Sequence, residues 1–338
     1  MSLEHIWSQQ RHRRRLALLA LLFTLLIMVA VSVSMGSYPI HMQDWLNGLN
    51  ETQRQVIWEL RLPRTMLAVA VGCGLALSGA VLQVLLHNPV AEPGLIGISS
   101  GSGMCAVFAI YLSHMMGLDI PAWGISVAAF VGALMITFLL IRLSRQGVFG
   151  GSRLLLLGVA IGIATNAFTT WLLYFSDDQA LRAIMFWMMG SLSYGQLHPA
   201  YWWIPFCIIV GWLALQREKL NLLQLGPYQA QLMGLDLRQT RRKLVWAICF
   251  ISGMCVALAG IIGFIGLVVP HLLRLISKDS IRFTIPASMI SGALLLLIAD
   301  TVSRSVLSAG ELPVGVVTAT IGAPLFIYLL VKRHAIAG

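Results

Sequence analysis

Long apolar runs separated by short polar breaks dominate this chain. The runs are about 20 residues long, the length that a helix needs to cross the hydrocarbon core of a bilayer. The stretch from 243 to 303 is nearly continuous, so its division into three runs is the least defined. The pattern predicts an all-α, polytopic membrane protein with one transmembrane domain over residues 1–338. The expected spans are 16–35, 62–86, 93–113, 120–141, 153–175, 198–215, 243–260, 262–277, 283–303 and 314–331.

The composition indicates that lipid covers most of the protein. Hydrophobic residues make up 58% of the chain and charged residues only 11%, against about 25% charged residues in soluble domains. A basic head at residues 11–15 precedes the first run. Because many further spans follow, we interpret this run as a retained helix rather than a cleaved signal peptide. The five cysteines lie in apolar spans without CxxC spacing, so we expect neither a disulfide framework nor a metal site. We also expect no cofactor.

The net charge of +10 is placed asymmetrically. With ten spans and both termini inside, most lysines and arginines fall in the inner segments, as the positive-inside rule requires. We therefore predict a bacterial inner-membrane protein with cytoplasmic termini, and we attribute the basic excess to topology rather than to nucleic acid. The outer segments keep Arg54, Arg61, Arg64, Arg182 and Arg304.

Two segments of the chain resemble each other. Leu75–Gly79 is followed by Pro89, and the similar Val256–Gly260 is followed at the same interval by Pro270. The first copy is expected to run inward and the second outward, which is the arrangement of an inverted repeat in transporters. Chance similarity among small apolar residues is the alternative.

The sequence shows no site of its own that could supply the energy for transport. None of its four lysines follows a glycine, so no phosphate-binding GxxxxGK loop exists. Glu92 and Asp300 lie only near span ends, which gives little support to an ion-driven secondary transporter. The histidines form no HExxH spacing, which disfavours an intramembrane enzyme. If transport is ATP-driven, the ATPase is a separate polypeptide and this chain is not an enzyme.

The longest polar inner loop, residues 216–243, is a candidate docking site for such an ATPase. Its small residues Gly226, Ala230 and Gly234 are spaced to share one side of a short helix, which would let a partner pack closely. The alternative is a solvated connector whose basic flanks follow the charge rule.

Four motifs together resemble the permease subunits of type II ABC importers for metal chelates. That resemblance implies a homodimer with ten spans per subunit, two cytoplasmic ATPase subunits and a periplasmic substrate-binding protein, with 216–243 as the coupling loop. The motifs are Arg61-Leu-Pro-Arg64, Asn88-Pro-Val-Ala-Glu-Pro-Gly94, Gly263-Phe-Ile-Gly-Leu-Val-Val-Pro-His271 and Glu311-Leu-Pro-Val-Gly315.

Three further stretches are similar to the vitamin B12 branch of that family: 171–176, 187–190 and 312–324. They imply vitamin B12 as the cargo. The alternative is the same machine carrying a ferric siderophore, haem or another metal chelate.

The resemblance also implies roles for individual residues. Arg61, Arg64 and Arg304 match arginines that dock the binding protein, although snorkelling at helix ends is an alternative. Gly151 and Ser152 match a Thr-Ser pair at the inner gate, and the glycine removes one gate side chain. A flexible turn with Ser152 as a helix cap would also explain this segment.

The pathway wall is expected to include Asn166 of the fifth span and a short outer helix at 180–190. In that helix Ile184, Met185 and Met188 would face the cargo, because flexible methionines can pass a bulky molecule without gripping it. Ordinary packing of this helix on the membrane surface is the alternative.

Overall fold

The computed structural model describes residues 3–36, 38, 40, 44, 48–143, 151–193, 202–277, 280–307 and 310–337. Every expected span contains a helix, and the described residues contain no strand. The α-helices are α1 (Leu3–Ser34), α2 (Glu51–Gln55), α3 (Leu62–Leu85), α4 (Ile98–Met116), α5 (Ala122–Leu143), α6 (Gly151–Tyr174), α7 (Asp178–Met188), α8 (Trp203–Leu215), α9 (Arg217–Gln224), α10 (Pro227–Leu232), α11 (Leu237–Ala259), α12 (Ile265–Ser277), α13 (Ile281–Ser303) and α14 (Val314–Ala337).

The lengths of these helices confirm the all-α, polytopic fold. Six stretches, in α1, α2–α3, α5, α6, α11 and α13, are long and apolar enough to cross a bilayer, and α8, α12 and α14 contain shorter apolar helices. The division of the stretch from 243 to 303 into three helices is also confirmed, as α11, α12 and α13.

Helix α3 forms the centre of the bundle, and most of its residues are buried. A π-helical segment, Val56–Arg61, leads into it, and Pro63 fits its first turn, where no backbone N–H is needed. A methyl group on Gly72 would overlap the backbone of Gly292 in α13, and one on Gly79 would overlap that of Gly266 in α12. Small residues of this kind let helices approach closely where lipid supplies no hydrophobic drive.

The bundle has two distinct ends. Arg14 of α1 donates to Ser280 at the start of α13 (2.9 Å), and Ser32 of α1 accepts from Arg304 at the end of α13 (2.7 Å), so these two helices run parallel. Helix α3 runs the opposite way, with Thr65 beside Ser32. We call the end with Arg304 the arginine end and the opposite end, with α9 and α10, the loop end.

The two segments that resemble each other lead into helices of opposite direction and into breaks inside the bundle. Helix α3 runs toward the loop end, whereas α11 runs toward the arginine end. After each helix the chain turns and proceeds without α-helix, through 88–97 and 260–264. Glu92 joins the two breaks, because its carboxylate accepts from the backbone N–H of Phe264 at 3.0 Å.

These breaks shorten two of the expected spans. Helix α4 begins at Ile98 rather than 93, and α12 begins at Ile265 rather than 262. Positive φ angles at Gly97 (84°) and Gly260 (70°) are incompatible with a continuous helix. Non-helical backbone at such depth is tolerated only where protein groups satisfy it, which is what Glu92 does for Phe264.

The close approach of α3 to α12 is testable with one added methyl group. Gly79→Ala should destabilise the protein by about 1–3 kcal/mol, because the methyl group would overlap the carbonyl group of Gly266. Gly211→Ala in α8 is the control, since open space surrounds that position and alanine favours a helix by about 1 kcal/mol over glycine. The measurement is the apparent melting temperature in detergent. Equal values for the two variants would contradict this packing.

Candidate functional site

A buried carboxylate, Asp300, organises the arginine end. It lies in the last turn of α13, and its side chain has no exposed surface. Its Oδ1 accepts from Nε of Arg64 at 2.8 Å and lies 2.8 Å from Arg64 NH2, while its Oδ2 lies 3.2 Å from Nε of Arg304. One carboxylate therefore balances two guanidinium groups, from α3 and from the turn after α13.

Two of the arginines also hold α1 in place. Arg304 donates through NH2 to both the carbonyl and the hydroxyl oxygen of Ser32, each at 2.7 Å. Arg61 donates to the carbonyl oxygens of Val33 (3.0 Å), Ser34 (2.8 Å) and Tyr38 (2.5 Å). The last carbonyls of a helix have no partner within the helix and attract positive charge. Arg61 therefore caps the end of α1.

Glu311 completes the network on its outer side. Its Oε2 accepts from NH1 of Arg64 at 2.7 Å and from the hydroxyl of Ser193 at 2.8 Å. Its side chain is 42% exposed. Burial raises the pKa of Glu311, but the hydrogen bond and positive charge of Arg64 outweigh burial and hold this pKa below its ordinary value. Glu311 is therefore a carboxylate at neutral pH.

The structure brings Arg61, Arg64 and Arg304 together, as a shared site requires. It also buries all three and gives each an internal partner, which was not predicted from the sequence. Signals for those partners were present, since Asp300 is an acid at a span end and Glu311 opens a family motif. The docking role of the arginines stays a prediction.

The coupling loop is helical, but its small residues do not form an outer face. Helix α10 has only six residues, and Gly226 (φ 100°) and Gly234 (φ 83°) flank it in conformations that favour glycine. Ala230 is fully buried against the protein's own core. The expectation that these three residues line one side of a helix for a partner is therefore wrong, because turn geometry and internal packing explain them.

The loop instead exposes four large apolar side chains among its polar ones. Leu225, Tyr228, Leu232 and Met233 are between 55% and 71% exposed. We call these four residues the loop-end patch. Large apolar side chains exposed close together in sequence on a polar segment indicate a candidate protein-binding surface.

The short helix expected at 180–190 exists as α7, which Asp177 caps by accepting from the N–H of Ala180 at 2.8 Å. Ile184 is fully buried in a cluster with Val107 and Leu172, so it presents no surface to a pathway. Met188 is half-buried against the same cluster.

Two of the expected wall residues are exposed: Met185 on α7 (48%) and Asn166 on α6. At the expected gate, α6 begins at Gly151, one residue before Ser152. The side chain of Ser152, and residues 144–150 before Gly151, lie outside the described part of the chain.

The chain matches known transport proteins along nearly its whole length. The sequence model of the FecCD transport family matches residues 24–332. The vitamin B12 import system permease protein BtuC of Klebsiella pneumoniae subsp. pneumoniae is 45% identical over 334 residues, covering 99% of this chain and 98% of that protein. BtuC of Photorhabdus laumondii subsp. laumondii is 42% identical over 330 residues, covering 97% and 96%.

A solved structure is also similar. It shows a metal-chelate type ABC transporter in an inward-facing conformation, and it superposes on this chain with a TM-score of 0.83 at 31% sequence identity. The match covers 94% of this chain and 99% of that chain.

The role of Asp300 gives a test of the arginine network. Asp300→Asn should destabilise the protein by about 3–5 kcal/mol, because it leaves the buried Arg304 without a carboxylate and Arg64 with only Glu311. Glu218→Gln is the matched control, since it breaks the exposed Glu218–Arg282 pair (2.9 Å), and exposed pairs contribute about 0–1 kcal/mol. Thermal unfolding of the purified variants measures both. If Asp300→Asn were as stable as the unmodified protein, the arginines would not depend on this carboxylate.

Proposed function

The chain belongs to the FecCD transport family, and on that basis we propose that it is the membrane-spanning subunit of an ATP-driven importer of vitamin B12. It is a permease and not an enzyme, and ATP hydrolysis belongs to a separate subunit. The observation that carries the B12 proposal is the identity of 42–45% with vitamin B12 permeases over nearly the whole of both chains. We also propose that residues 1–338 form one transmembrane permease domain.

Orientation follows from the two ends of the bundle. We place the loop end, where α1 begins and α14 ends, in the cytoplasm, because the basic residues concentrate there. The arginine end then faces the periplasm. Arg61, Arg64 and Arg304 are unusual on that side. The pairing of Arg64 and Arg304 with Asp300, and the position of Arg61 at the end of α1, support a docking site for an acidic surface of the periplasmic binding protein.

A second copy of the chain is expected to complete the pathway. Helix α6 exposes Leu156, Ile163 and Trp171, and α14 exposes Ile321 and Ile327. Either lipid or a second copy would cover such apolar faces, and the family resemblance favours a homodimer.

In that dimer Asn166 and Met185 are proposed to line the wall, and Gly151 and Ser152 the inner gate. Gly151, Ser152 and Asn166 belong to α6, which begins at the loop end and leads to α7, the helix of Met185, at the arginine end. One helix would therefore connect the exit to the entrance.

For coupling, we propose that the loop-end patch, rather than the small residues of the loop, contacts the ATPase subunit. Its apolar side chains surround α10 and face away from the bundle, which supports their insertion into a cleft of the ATPase subunit. Gly226 and Gly234 then act by shaping the turns, and Ala230 by anchoring α10 to the core.

A transport assay tests the cargo. The permease would be reconstituted into vesicles with its ATPase and binding protein, and uptake of radiolabelled cyanocobalamin would be measured with ATP and with ADP. We expect accumulation that requires both ATP and the binding protein. Accumulation without ATP would contradict an ABC importer.

The same vesicles test the second candidate cargo, a different metal chelate, which the similarity to a metal-chelate type transporter favours. Ferric siderophore and haem would each be offered in place of cyanocobalamin. ATP-dependent uptake of one of them, without uptake of cyanocobalamin, would transfer the assignment to that cargo and leave the importer class intact.

The loop-end patch gives a test of coupling. Replacing Tyr228 and Leu232 together by serine should reduce transport and binding-protein-stimulated ATP hydrolysis about tenfold or more, because buried interface anchors contribute about 2 kcal/mol or more each. Gln229 and Gln231, exposed on the same helix, are replaced by serine in the control. These positions are preferable to Gly234, where positive φ strains any other residue regardless of its bulk. Normal coupling in the Tyr228/Leu232 variant would place the coupling surface elsewhere.

A further inference from the structure

Arg64 has an inner and an outer face. Nε and NH2 point inward to Asp300, whose side chain has no exposed surface. NH1 points outward and donates to Glu311 at 2.7 Å and to Ser193 at 3.2 Å. The Glu311 side chain is 42% exposed. The inner carboxylate is therefore fixed in the bundle, and the outer one can exchange with solvent.

An acidic side chain that docks on Arg64 meets an occupied position. NH1 has two N–H donors, and Glu311 and Ser193 accept from them in the described structure. A second carboxylate cannot bind NH1 while Glu311 remains, because two carboxylates at one nitrogen would repel each other.

We propose that Glu311 is a resident carboxylate, which an acidic side chain of the periplasmic binding protein displaces when it docks on Arg64. This inference rests on the proposed docking role of the arginine end. Glu311 is then a residue of the docking surface that opposes docking. The partner's carboxylate would bind Arg64 at NH1, the position that Glu311 occupies.

Exchange of carboxylates explains how a buried arginine can serve a reversible contact. Removing one partner of a buried ion pair is strongly unfavourable, because it leaves an uncompensated charge. Glu311 keeps Arg64 neutralised before docking, and the partner keeps it neutralised afterwards. Glu311 itself becomes hydrated at low cost, since its side chain is already half-exposed.

The exchange has a specific signature in the affinity for the binding protein. Glu311→Gln should bind the fluorescently labelled cognate binding protein about two- to fivefold more tightly than the unmodified permease in lipid nanodiscs, the range of a partly exposed ion pair. Its affinity should also fall more steeply as salt rises. Docking on the variant creates an ion pair, whereas docking on the unmodified permease replaces one with another.

Glu59→Gln is the matched control, because Glu59 is exposed near Arg61 and lies outside the described network. Glu59→Gln removes one negative charge, as Glu311→Gln does, but leaves Arg64 unaffected. The affinity of this variant for the binding protein should therefore be unchanged. Equal tightening in both variants would mean that only net charge matters, and it would overturn the exchange. Weaker or unchanged docking of Glu311→Gln would overturn it as well, since Glu311 would then support the docking surface.

A second variant covers the case in which Glu311→Gln does not fold. Ser193→Ala removes one hydrogen-bond partner of Glu311 and leaves every charge in place, so docking should again tighten, by a smaller factor. Unchanged or weaker docking of this variant would contradict the proposal. If the unmodified permease fails to bind the protein at all, the docking role itself is wrong. If it binds and neither variant tightens, only the exchange is wrong.

Discussion

The ion pairs of Asp300 with Arg64 and Arg304 are the interaction on which the arginine end depends. A charged side chain within a membrane protein is costly unless it is paired. Asp300 makes two such charges acceptable together, and through them it connects α13 with α3 and α1. Because Arg304 also binds Ser32, the position of α1 depends on a carboxylate that lies on a different helix. Both the stability of the protein and the arrangement of the proposed docking surface therefore depend on the buried Asp300.

In the interior, close backbone contacts hold the helices together. Helix α3 meets α13 at Gly72 and α12 at Gly79, with no room for a side chain at either crossing. The segments 88–97 and 260–264, which contain no α-helix, meet where Glu92 satisfies the backbone N–H of Phe264. Broken helices that are fixed in this way are typical of transporters, because they place irregular backbone beside a pathway and away from lipid.

The sequence predicted the fold well because span length and the charge asymmetry are direct consequences of the bilayer. It also predicted that Arg61, Arg64 and Arg304 belong together. Asp300 was recognised only as an acid near a span end. Its partner Arg64 lies 236 residues away in sequence, and the spacing to Arg304, four residues on, does not by itself reveal a buried ion pair. The spacing of Gly226, Ala230 and Gly234 suggested a common outer face, but α10 is too short for helical periodicity to decide which residues point outward. Likewise, only packing against α4 and α6 could reveal that Ile184 is buried.

An electron cryomicroscopy structure of the permease bound to its ATPase and its substrate-binding protein would show whether Asp300 keeps its role in the assembled transporter. We expect the binding protein on the arginine end, with Arg64 and Arg304 still paired to Asp300, and the ATPase in contact with the loop-end patch. A binding protein seated at the loop end, or an Asp300 released from both arginines, would contradict this expectation.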